Sequence, residues 1–122
     1  MPEASPSSQF RVIFVTVSDA QSAAAIASGL VERRLAACVN IIPGVTSVYR
    51  WKGKLHKDPE VLLTIKTRAG VFNEVAQFIK EKHPAEVPEI ISLPIAEGSP
   101  SYLEWLGANT IFTRAEDIQL PY

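Results

Sequence analysis

Cysteine is nearly missing from this chain: Cys38 is the only one in 122 residues, so no disulfide can form within it. Disulfide frameworks staple small secreted domains in oxidising compartments, and excluding one favours a reducing compartment. Long apolar runs are missing too. None approaches the ~20 residues that a membrane-spanning helix needs, and the opening "MPEASPSSQ" has neither the basic segment nor the apolar core of a secretory signal. A cytoplasmic protein without membrane insertion is therefore expected. Nor is there an excess of positive charge: 12 Lys and Arg against 13 Asp and Glu leave a formal net charge of -1. Basic residues alternate with acidic ones, which argues against nucleic acid as a partner. The chain has no glycine-rich phosphate loop, no HExxH, no Ser/His/Asp set and no Cys/His pair close in sequence. A non-enzymatic protein that requires no cofactor is the expectation.

What is present reads as one globular domain, with 47% hydrophobic and 20% charged residues. "RVIFVTV" at residues 11–17 is apolar and β-branched, as a buried central strand should be. Ser18 offers an N-cap with Gln21 at capping-box spacing. Ala23, Ile26, Ala27, Leu30 and Val31 then fall on one helical stripe, and the charges of Glu32, Arg33 and Arg34 close that helix. "AACVNIIPGVTSVYRW" is a long strand interrupted at Pro43-Gly44, where a bulge or bend is expected. Beyond it Val45, Ser47, Tyr49 and Trp51 share one face. "KGKLHKDPE" reads as a turn region that exposes His56, and residues 61–67 as the returning strand of a long hairpin. A second helix over residues 71–82 carries the stripe Val71, Phe72, Val75, Phe78 and Ile79. Residues 89–95 form a fourth strand, and Ser99-Pro100 opens a short last helix as N-cap and N1.

The order β-α-β, β-α-β, α defines an α+β protein, a ferredoxin-like βαββαβ sandwich with a C-terminal helix. The domain spans residues 10–110, after a disordered leader at 1–9 and before an irregular tail at 111–122. Helices on one face leave the other face of the sheet apolar and bare, which predicts oligomerisation.

Four blocks, "RLAACVNIIPGVTSVYRWKGKL", "EVLLTIKT", "HPAEVPEIISLPI" and "YLEWL", resemble the CutA family in sequence and in order. The resemblance implies a PII-like homotrimer whose subunits pack sheet to sheet about a three-fold axis, with hairpin arms crossing subunit boundaries. It implies a role in divalent metal tolerance, copper(II) binding in some members, and no catalytic reaction. Two other roles are compatible with it: a small-molecule sensor by analogy with PII trimers, or a trimeric scaffold for a protein partner.

The metal candidates are His83, Cys38 and Glu89, since imidazole and thiolate suit copper(II). In copper-binding relatives the ligands include a cysteine on the first strand and two adjacent histidines. Val15 and Lys82 occupy two of those places, which leaves His83. Each candidate also has a plain structural role. Pro84 ends the helix at His83, whose side chain suits the negative end of the helix dipole. Cys38 reads equally as a small buried hydrophobe. Glu89, after Pro88, reads as an interface salt-bridge partner, and Glu86 as a solvated loop residue. Tyr49, Trp51 and Trp105 read as interface packing. With Lys66 and Glu89 they also form a candidate cleft between subunits, which Ala85 would widen, because relatives carry an aromatic residue there.

Overall fold

A computed structural model of the chain describes residues 9–111. The expected leader at 1–9 and tail at 111–122 therefore lie almost wholly outside the described residues. The elements are β1 (Phe10–Val17), α1 (Ala20–Glu32), β2 (Cys38–Trp51), β3 (Lys54–Arg68), α2 (Phe72–Lys82), β4 (Ile90–Pro94) and α3 (Pro100–Ala108). One antiparallel sheet has the order β2-β3-β1-β4. β3 pairs antiparallel with both β1 and β2, so β1 and β2 run parallel on either side of it.

Alternation along the central strands makes the core. Ile13, Val15 and Val17 of β1 and Val61, Leu63 and Ile65 of β3 are all buried in one cluster with Ile26, Leu30, Val75 and Ile79 of the helices. The buried hydroxyl of Thr67 donates to the Leu35 carbonyl at 2.6 Å. Gly29 of α1 lets the ring of Phe78 on α2 approach, so closely that a Cβ there would lie 2.4 Å from it.

Two details of α1 differ from the sequence reading. The cap is Asp19, not Ser18: its carboxylate accepts from the Ser22 amide at 2.7 Å. An ionised acceptor at the positive end of the helix dipole makes a stronger cap than a hydroxyl, and this amide bond holds the Asp19 carboxyl below its ordinary range. Val31 is 42% exposed. The chain leaves the helix through Arg34, whose φ of 58° lies in the left-handed region, and buried Leu35 and Ala36 fill the core at this end.

The hairpin differs more. The turn is only Lys52-Gly53, with φ of 50° and 79°, the two positive angles of a type I′ turn whose twist matches the strands. Residues 54–60, expected as turn, are the first part of β3. His56 is accordingly half-buried rather than exposed, and stacks on Tyr49 with ring centroids 5.2 Å apart. The break expected at Pro43-Gly44 is present: the β2–β3 register shifts between Ile42 and Val45, and Gly44 has a φ of 82°.

β1 pairs only with the Val61–Arg68 part of β3, so the distal hairpin extends past the sheet as an arm. Ser99 caps α3 by accepting from the Tyr102 amide at 3.3 Å. Arg68 pins that helix by donating to the Gly107 carbonyl at 2.7 Å. On the face opposite α1 and α2 the paired residues include Phe14 with Ile91, Val12 with Leu93, and Leu62 with Ile42. Ile42, Ile91 and Leu93 there are 41%, 51% and 47% exposed.

Candidate functional site

Helix α2 ends at His83 because Pro84 forces the residue before it into extended backbone, here φ -81° and ψ 135°. That conformation brings the imidazole across to the end of β1. Nε2 lies 2.7 Å from the Thr16 carbonyl, which can only accept, and Nδ1 accepts from the Ala85 amide at 3.0 Å. Both bonds are met by one tautomer, with the hydrogen on Nε2 and the lone pair on Nδ1. Neither nitrogen is left with a lone pair for a metal.

The segment after His83 faces the hairpin arm, and between them lies an open groove of about 640 Å³. Tyr49, Trp51 and Glu60 come from the arm, Glu86, Val87 and Glu89 from the α2–β4 segment, and Thr16 from β1. The Thr16 hydroxyl reaches Glu89 Oε1 at 3.5 Å. The Tyr49 hydroxyl donates to Asp58 Oδ2 at 2.5 Å, which pushes the phenol pKa above its ordinary value. The groove thus gathers Tyr49, Trp51, His83 and Glu89. Glu60 is missed by the sequence reading because its place opposite Val45 follows from the bulge and the two-residue turn; no sequence signal short of that register points to it.

Cys38, Lys66 and Trp105 are not part of this groove. Cys38 is half-buried and pairs with Lys66 on the sheet face away from α1 and α2. Lys66 Nζ donates to Asn40 Oδ1 and to the Thr64 hydroxyl. Trp105 packs against Tyr102 on α3, with ring centroids 5.5 Å apart. Lys66 is level with Val12, while His83 contacts Thr16. Four residues of strand, roughly 13 Å, separate the two levels. Val15, at the place of the copper-binding relatives' cysteine, is fully buried under the helices. Among the described residues no three His, Cys, Asp or Glu side chains are grouped to hold a metal ion. Within one chain these residues do not fit a copper ion.

A four-stranded antiparallel sheet with helices on one face, a projecting arm and a groove at its base places the chain among the small α+β proteins represented by the solved CutA structures. The Thermus thermophilus protein aligns with a TM-score of 0.81 at 50% identity, covering 83% of this chain and 98% of that one. The Oryza sativa protein aligns with a TM-score of 0.82 at 42% identity, covering 87% and 97%. In sequence, the Thermus thermophilus divalent-cation tolerance protein CutA is 52% identical over 99 residues, 81% of this chain and 96% of its own length. A Xenopus laevis CutA homolog is 54% identical over 94 residues, 77% of this chain but 62% of its own. The family model of the CutA1 divalent ion tolerance protein matches residues 11–109. The chain belongs to that family.

Proposed function

We propose that the chain is a non-enzymatic, homotrimeric binding protein acting in divalent cation tolerance, with copper(II) contact that is weak. The match over residues 11–109 to a family named for divalent ion tolerance carries this reading. Assembly is supported by the uncovered apolar face around Ile42, Ile91 and Leu93, because a sheet face of that kind is stable in water only when covered. The ferredoxin-like sandwich then packs as a PII-like trimer. One cysteine suits a reducing compartment, the cytoplasm. With His83 engaged at both nitrogens, a defined metal site requires ligands from a neighbouring chain.

The test is titration of copper(II) and zinc into the purified protein, its His83→Ala variant and its Cys38→Ala variant. Weak binding that neither substitution changes is expected. Stoichiometric micromolar binding lost in either variant would restore a defined site. Native mass spectrometry should show a trimer, and a monomer would overturn the assembly. The groove favours a second reading, a PII-like small-molecule sensor.

A further inference from the structure

The two bonds of His83 respond differently to its charge. Nε2–H donates to the Thr16 carbonyl at 2.7 Å, and Nδ1 accepts from the Ala85 amide at 3.0 Å. A protonated imidazole carries hydrogen on both nitrogens and accepts nothing. The Thr16 bond survives protonation, whereas the Ala85 bond becomes two N–H groups facing each other. The Ala85 contact and a charged ring therefore exclude one another. Both bonds lie within one chain, so this holds whatever a neighbouring subunit places beside the segment.

The surroundings pull the other way. The ring sits at the C-terminal end of α2, where the helix dipole favours a cation. Four carboxylates face it from the elements around it. Asp19 at the start of α1 feels the His83 charge, Glu86 and Glu89 come from the α2–β4 segment, and Glu60 comes from the arm. Lys82, beside it on its own helix, turns its ammonium to the Phe78 ring at 5.7 Å. Thr16 of β1 brings no charge.

We infer that His83 is a proton-operated latch on the segment from Pro84 to Glu89. With the ring neutral, the Ala85 bond ties this segment to the end of β1. Proton uptake at Nδ1 removes the acceptor, the carboxylates stabilise the charged ring, and the segment comes away from β1. Val87, Pro88 and Glu89 of that segment line the groove with Tyr49 and Trp51, so release loosens the base of the arm. The stability that the Ala85 bond contributes is present while the ring is neutral and is lost as pH falls. Imidazole ordinarily changes charge between about pH 5 and 8, which sets the range to search.

The test is NMR of the full-length protein with EDTA present, so that no metal competes for the ring. At about pH 8 the ring nitrogen signals should show hydrogen on Nε2 and a lone pair on Nδ1. Hydrogen-exchange protection of the Ala85 amide, corrected for intrinsic rate, should fall about tenfold on acidification, with the midpoint of the His83 ring signals. The amide of buried Ile13 serves as the reference that stays protected. His83→Gln, whose side chain donates and accepts at every pH, should lose the pH dependence. Ala85 protection unchanged while the ring titrates, or an equal fall in the variant, would overturn the latch. So would hydrogen on Nδ1 at the alkaline end, a reading of the unaltered protein that stands even where the variant fails to fold.

Discussion

His83 Nε2 sits 2.7 Å from the Thr16 carbonyl, a contact between residues 67 positions apart. With the Ala85 amide on Nδ1, one side chain joins the end of α2, the end of β1 and the segment leading into β4. The histidine that looks most like a metal ligand is thereby accounted for as a structural bridge. His83→Ala removes both bonds and leaves a carbonyl and an amide to find water. A loss of about 1–3 kcal/mol follows from the cost of unsatisfied partners, measurable by urea denaturation. Hydrogen exchange at the Ala85 amide should accelerate in the variant. Unchanged exchange there would show that the bridge does not hold the segment.

Arg34 occupies the left-handed region with a φ of 58°. For a residue with a Cβ that conformation costs roughly 1–2 kcal/mol, while glycine adopts it freely and gives part of the gain back through the unfolded chain. Arg34→Gly should stabilise the protein by about 0.5–1 kcal/mol, seen as a higher melting temperature. A lower one would mean that the Arg34 side chain makes a stabilising contact.

Gly29→Ala should act in the opposite direction. A Cβ would lie 2.4 Å from the Phe78 ring, and that ring is 5% exposed, with the Arg33 guanidinium 4.7 Å from its centre. Overpacking costs about 1–3 kcal/mol, against about 1 kcal/mol gained in helix propensity. A net loss of stability is expected, and Phe78→Leu in the Gly29→Ala background should cost less than Phe78→Leu alone. Strict additivity in that cycle would show that the helices move apart without strain.

The core strands, both long helices and the Ser99 cap are legible in the sequence because burial imposes a period on them. The long hairpin and its first strand up to Trp51 are legible too, but the start of its returning strand, residues 54–60, is not, and the reason is physical. Beyond the sheet it has no core to face, so "KGKLHKDPE" shows no alternation of apolar and polar residues and its Lys, Asp, Pro and Gly content resembles a loop. Only the positive φ angles at Lys52 and Gly53 reveal a two-residue turn. That shortening moves His56 from loop to strand and sets Glu60 opposite Val45, which is how an acidic residue enters the groove. The partners of His83 are hidden for a different reason. Hydrogen bonds between distant segments leave no mark in local spacing, whereas Pro84 announces the helix end plainly.

Tyr49 and Asp58 supply a pH-dependent prediction on the same arm. The phenol donates to Asp58 Oδ2 at 2.5 Å. That bond, followed by desolvation and by the charges of Asp58 and Glu60, raises the Tyr49 pKa above its usual value of 10.0. A raised pKa means that folding favours the protonated phenol. Its contribution to stability is complete below the unfolded-state value and is lost as pH rises through the folded one. Alkali should therefore loosen the arm while the core strands hold. The measurement is phenolate absorbance against pH, taken as the difference between wild type and Tyr49→Phe so that Tyr102 and Tyr122 cancel. Asp58→Ala should bring the Tyr49 midpoint down toward the ordinary phenol, and a midpoint unmoved by that change would refute the pairing.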